Sequence, residues 1–270
     1  MNQRQWFTDR ERLTEKCLPY FQPVISRHSS FCGLEILARW EMPDKSILYP
    51  AQFIPQVNEA GLSGLMTSIL LEKTAEILFP LKENLPAGSL VSFNLDMVDS
   101  YSDTITDVCQ SFRRRLGAYS PVLICELTER RKWGQSPEDH IFLKKLEAHH
   151  IPVALDDFGT ELCNLDMQCS VRAGYLKIDR SFISRLNEDP ASWRAAECAI
   201  FTARKYSQRI IAEGVETRWQ YDWLKQQGVD LYQGYYFSPP LSAEQLSEFI
   251  RQRGSKPEGK VYKHKDYHRC

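Results

Sequence analysis

The chain lacks any apolar run approaching the ~20 residues of a membrane span. Its first sixteen residues are polar and charged, without the apolar centre of a signal peptide. A cytoplasmic protein with no membrane contact is therefore expected. No Cys-x-x-Cys pair occurs: the cysteines are scattered at 17, 32, 109, 125, 163, 169, 198 and 270, which argues for free thiols rather than a zinc site or a disulfide framework. Histidine is scarce, and neither His149-His150 nor His264 with His268 has acid or cysteine partners at ligand spacing. Charge of one sign is missing too. A formal net charge of -1 argues against a broad nucleic-acid surface while leaving local patches open, and no nucleic-acid polymer is expected as a partner. Internal repeats and low-complexity segments are absent.

What is present is an ordinary globular composition, 43% hydrophobic and 26% charged in 270 residues, enough for one α/β barrel of typical size. Strand-like apolar stretches fall at 19–25, 33–38, 89–95, 122–127, 153–158, 175–178, 209–215 and 230–237. Helical spacing lies between them from the second onward, as in Ile69, Leu70, Lys73, Ile77 and in Phe142, Leu143, Leu146. Thr217 with Gln220 and Ser242 with Gln245 fit the capping box, and Asp189-Pro190 supplies a cap and a first-turn proline. Alternating strands and helices, eight strands in all, predict a closed (β/α)8 TIM barrel. The first two stretches are too close for a helical crossover and are expected to pair antiparallel. Residues 1–17 read as a lead segment, 18–253 as the barrel domain and 254–270 as a loosely held basic tail.

In such a barrel chemistry gathers where strands end. Ala154-Leu155-Asp156-Asp157-Phe158-Gly159 ends an apolar run with two carboxylates and a glycine. A turning backbone at the strand end can bring both acids to one place, and two ionised carboxylates that close need cations. Glu35, Asn94, Glu126, Lys177, Glu213 and Gln233 occupy the corresponding parts of the other stretches. Any one of them alone reads more readily as a cap or a solvated strand end; their succession points to a site. All-oxygen donors with one amide suit Mg²⁺ or Mn²⁺ rather than zinc. Glu35, Glu126, Asp156, Asp157 and Glu213, less Lys177, leave four negative charges, a match for two divalent ions. Two such ions about 4 Å apart repel by roughly 16 kcal/mol at an effective dielectric near 20, so a bridging carboxylate is required, and Asp156 is the candidate. Metal-assisted hydrolysis of a phosphoester follows.

Gln22-Pro23, Glu35-Ile36-Leu37 with Arg39-Trp40, Asn94, Glu126 with Glu129, Asp156-Asp157-Phe158-Gly159, Lys177-Ile178-Asp179, Glu213-Gly214-Val215-Glu216 and Gln233-Gly234 together resemble the EAL-domain family over roughly residues 18–252. The resemblance implies a modified TIM barrel with an antiparallel first strand and a phosphodiesterase that opens cyclic di-GMP to linear pGpG. By that resemblance Glu35, Asn94, Glu126 and Asp156 hold one metal, and Asp156, Asp157 and Glu213 the second. Lys177 positions the attacking water, making Lys177, Glu35, Asp156 and Glu213 the catalytic set. Gln22, Arg39, Gln233 and Leu37 serve substrate binding, Glu129 steadies the loop after the paired aspartates, and a homodimer is implied. The chain departs from the family at Ile36, at Asp96, and at Glu161 to Asn164, where the family has Gly-Tyr-Ser-Ser. The altered loop at 160–164 keeps open a catalytically weak or inactive module that binds cyclic di-GMP or a protein. A hydrolase for a different phosphodiester is a third reading.

Overall fold

The computed structural model describes residues 7–95, 103–127, 133, 136–159 and 165–254. The chain runs α1 (Arg10–Lys16), β1 (Cys17–Ser26), β2 (Phe31–Glu41), β3 (Ile47–Leu48), α2 (Pro50–Glu59), α3 (Ser63–Leu78), β4 (Leu90–Leu95), α4 (Asp103–Leu116), β5 (Val122–Leu127) and α5 (Pro137–Ala148). It continues β6 (Val153–Phe158), α6 (Leu165–Ser170), β7 (Tyr175–Ile178), α7 (Arg180–Ser184), α8 (Pro190–Lys205), β8 (Arg209–Ala212), α9 (Arg218–Gln226), β9 (Leu231–Tyr232) and α10 (Ala243–Gly254). The expected caps are in place: Asp189 accepts from the Ala191 and Ser192 amides ahead of Pro190, and Thr217 and Gln220 bond reciprocally. Among the described residues no helix is long and apolar enough to cross a membrane.

Strands β2, β4, β5, β6, β7, β8 and β9 are parallel neighbours in that order. Strand β1 closes the ring, antiparallel to both β2 and β9. The result is the eight-stranded barrel with an antiparallel first strand that the sequence predicts. Only Arg27 to Ser30 join β1 to β2, too short a link for any crossover. Strand β3 pairs with the far end of β2 outside the ring, and the apolar pattern gave no sign of it.

Two strands are shorter than their apolar stretches. The expected strand at 209–215 stops at Ala212 because Gly214 turns into the left-handed region at φ 64°. The stretch at 230–237 is strand only at Leu231–Tyr232, since Gly234 sits at φ 151° and a Cβ there would lie 2.2 Å from the Val215 carbonyl oxygen.

The core has two parts. One lies between the barrel and its helices, where Phe21, Trp40, Phe93, Leu127, Leu155 and Leu176 point outward. Phe7 and Leu13, ahead of β1, belong to it, Phe7 meeting Trp40 edge-on at 5.0 Å. The other is a plug inside the barrel made by Val24, Leu90, Ile124, Ala154, Tyr175, Ile211 and Leu231.

Candidate metal and active site

Strand periodicity sets the site directly above that plug. Side chains two apart on a strand share a face, so Leu90 is followed by Ser92 and Asn94, Ile124 by Glu126, Ala154 by Asp156, Tyr175 by Lys177, Ile211 by Glu213 and Leu231 by Gln233. Strand β1 runs the other way, and Gln22 precedes Val24. On β2 the plug position is Gly33, where a Cβ would stand 2.7 Å from the Leu90 carbonyl oxygen, and Glu35 follows. Register places Gln22 opposite Glu35, Glu35 beside Ser92 and Asn94 beside Glu126. Glu35, Asn94, Glu126, Asp156, Lys177, Glu213 and Gln233 thus form one polar layer.

Asp156 and Asp157 both reach it because the β6–β7 ladder slips between Leu155 and Phe158 and Asp157 takes φ 50°. A left-handed conformation at a non-glycine residue costs roughly 1–2 kcal/mol and persists only where its surroundings enforce it. The slip cancels the strand alternation that would send the two acids to opposite faces. Ligand oxygens of Asp156, Asp157 and Glu213 all lie within 4.8 Å of one another, a grouping able to hold a metal ion.

Lys177, 1% exposed, stands at the centre. Its Nζ is 2.6 Å from Glu213, 2.7 Å from Glu126, 3.0 Å from Asp156 and 3.5 Å from Glu35. Burial alone would lower the lysine pKa, yet the four carboxylates raise it well above the ordinary value. The acids respond to the same crowding. Burial and the Glu35 charge push Glu126 well up, and burial with Asp156 close by pushes Glu213 well up. Burial, the Asp156 charge and Asp179 raise Asp157 to about 8. Burial opposes ionisation of Glu35 as well, but Lys177 and hydrogen bonds from Gln233 and Asn94 outweigh it and hold that carboxyl low.

Gln233 Nε2 donates to Glu35 at 2.5 Å and to Glu213 at 3.2 Å, while Asn94 Nδ2 donates to Glu35 at 3.2 Å. The amide of Gln22 donates to the Ser238 carbonyl at 2.6 Å, tying β1 to the loop after β9. Leu37 and Arg39 share the face of Glu35 further up β2. Arg39 is buried among aromatic rings: its guanidinium carbon lies 5.4 Å from the Tyr20 ring and 4.9 Å from Tyr49. The structure therefore gathers Glu35, Asn94, Glu126, Asp156, Asp157, Lys177, Glu213 and Gln233 into one cluster and sets Gln22, Leu37 and Arg39 around it. Glu129, Asp96 and the loop at 160–164 lie outside the described residues. Sequence reasoning gave no role to Tyr20, Tyr49 or Asp179. Tyr20 was reachable, because it alternates with Gln22 on β1; Tyr49 follows the unanticipated β3.

The family model of the EAL domain matches residues 9–240. The chain belongs to the EAL-domain family. The probable cyclic di-GMP phosphodiesterase PdeG of Escherichia coli (strain K12) is 36% identical over 245 residues, covering 90% of this chain and 48% of PdeG. The cyclic di-GMP phosphodiesterase PdeL of the same organism is 34% identical over 87% of this chain and 66% of PdeL. The chain thus spans about half the length of the first relative and just under two thirds of the second. The solved PaMucR phosphodiesterase in complex with c-di-GMP superposes with a TM-score of 0.76 at 27% identity, over 90% of this chain and 99% of that one. An EAL domain protein from Listeria monocytogenes EGD-e shares the fold at a TM-score of 0.76 and 22% identity, over 93% and 98% of the two chains.

Proposed function

We propose that this chain hydrolyses cyclic di-GMP to linear 5′-pGpG, with two divalent cations, Mg²⁺ or Mn²⁺, as its cofactors. The observation that carries this reading is the meeting of five carboxylates from β2, β5, β6 and the end of β8 above an apolar plug. So much like charge in one place stabilises nothing by itself. The donor set fits hard cations: it is all oxygen, and Glu126 Oε1 is buried with no hydrogen-bond partner among the described residues. Glu35, Asn94, Glu126 and Asp156 would hold one ion and Asp156, Asp157 and Glu213 the other. Bound there, the ions would supply acidification of a water and neutralisation of charge on the phosphoryl group.

The side chains do the rest. Lys177 keeps its proton among the carboxylates and can donate a hydrogen bond to the attacking water. Gln233 fixes Glu35 and Glu213 relative to each other. Gln22, with its amide nitrogen committed to Ser238, would keep its oxygen for the ligand. Arg39 makes no ion pair with a carboxylate among the described residues and is left to meet a phosphate; Leu37 lies beside it. Glu129 would steady the loop after Asp157. A homodimer in the cytoplasm, with residues 18–253 as the barrel domain, belongs to the same reading.

Purified protein incubated with cyclic di-GMP and Mg²⁺ or Mn²⁺ should form pGpG, resolved by ion-exchange chromatography. Chelation or Glu35→Ala should abolish the product. Tight binding without metal-dependent product would favour the receptor alternative.

A further inference from the structure

We infer that Tyr49 stacks on a purine base of the substrate and is a specificity-determining residue; the inference rests on the cyclic di-GMP reading above. Tyr49 is 60% exposed, and a lone exposed aromatic needs no explanation. Its setting is what distinguishes it. Pairing of Leu48 with Trp40 in the β2–β3 ladder carries the following residue to the level of Arg39. Pro50 confines Tyr49 to the extended region, where it sits at φ -89° and ψ 159°. Gln52 accepts a hydrogen bond from the Tyr49 amide at 2.8 Å. The backbone beneath the ring is therefore fixed twice before any ligand arrives, which lowers the entropy cost of contact.

One side of the ring faces the Arg39 guanidinium at 4.9 Å, with Tyr20 also against that group at 5.4 Å. Arg39 is only 5% exposed, and the one described hydrogen bond of its guanidinium is to the neighbouring Ala38 carbonyl at 2.8 Å. Two aromatic rings offset part of the cost of such a charge. The remaining guanidinium donors suit a phosphate. Arg39 lies four residues beyond Glu35 on the same face of β2, about 13 Å along the strand, so the Tyr20–Arg39–Tyr49 stack rises from the acidic layer toward the mouth. A cation for a phosphate and an open π-face beside it, on one wall above the acids, match a nucleotide. A bare phosphodiester would use only the first.

Steady-state kinetics on cyclic di-GMP with the wild type, Tyr49→Ala and Tyr49→Phe tests the assignment. Loss of base–aromatic stacking should raise KM about tenfold or more with kcat within twofold, and Tyr49→Phe should restore the wild-type KM. Competition separates stacking from simple support of Arg39. Tyr49→Ala should weaken inhibition by guanosine 5′-monophosphate and leave that by ribose 5-phosphate unchanged. An unaltered KM in Tyr49→Ala, or equal weakening of both inhibitors, would overturn the inference while the hydrolase reading stands. A wild type that neither binds nor hydrolyses cyclic di-GMP would overturn both.

Discussion

Replacing Lys177 by Met removes an ammonium that touches four carboxylates, three of them buried, at 2.6–3.5 Å while keeping most of the side-chain volume. At an effective dielectric of 20 each contact corresponds to roughly 5–6 kcal/mol of gross attraction. Most of that is consumed by taking the ions out of water, and breaking a buried ion pair costs about 3–5 kcal/mol net. For a domain of this size such a loss lowers the thermal midpoint by about 6–20 °C. The sign of the pH effect follows from the raised carboxyls. Such a group holds its proton more tightly folded than unfolded. The folded state therefore loses stability as pH rises from the ordinary carboxyl range, near 4, toward the raised folded values, about 8 for Asp157. Without Lys177 the acids move higher still, so the deficit of Lys177→Met should widen between about pH 5 and pH 8. Saturating Mn²⁺ should close much of it. Differential scanning fluorimetry of both proteins across that range, with chelator and with metal, reads all three effects. A deficit that ignores both pH and metal would mean that Lys177 merely fills space, and the electrostatic account of the layer would fail.

Asp156→Ala should abolish turnover and reduce Mn²⁺ binding together, by activity assay and equilibrium dialysis; a wild-type rate would remove Asp156 from the centre. Because burial and Asp156 raise Asp157 to about 8, Mn²⁺ must displace protons, so its affinity should rise from pH 6 to pH 9, with proton release measured by calorimetry in two buffers. Gly234→Ala would thrust a Cβ to 2.2 Å from the Val215 carbonyl oxygen at φ 151°. A loss of more than about 1 kcal/mol in urea unfolding is expected, with weaker metal binding through displaced Gln233.

The ring of strands was legible because buried parallel strands are continuous apolar runs bounded by polar punctuation, and the short link between β1 and β2 left only antiparallel pairing. The acidic layer was legible for a related reason: polar side chains recur at strand ends with the same face inward. The twin aspartates show where pattern stops. Alternation separates Asp156 from Asp157, and the slip at φ 50° that unites them is a local backbone event that the following Gly159 only hints at. Strand lengths at β8 and β9 were overestimated because hydrophobicity continues past Gly214 and Gly234 while the backbone does not. Tyr49 escaped notice since a two-residue strand has no periodicity to detect.

The hydrocarbon stopper formed by Val24, Leu90, Ile124, Ala154, Tyr175, Ile211 and Leu231 turns the barrel into a blind well. Traffic along its axis is then single-ended, so everything the proposed reaction takes in or gives out would pass one opening.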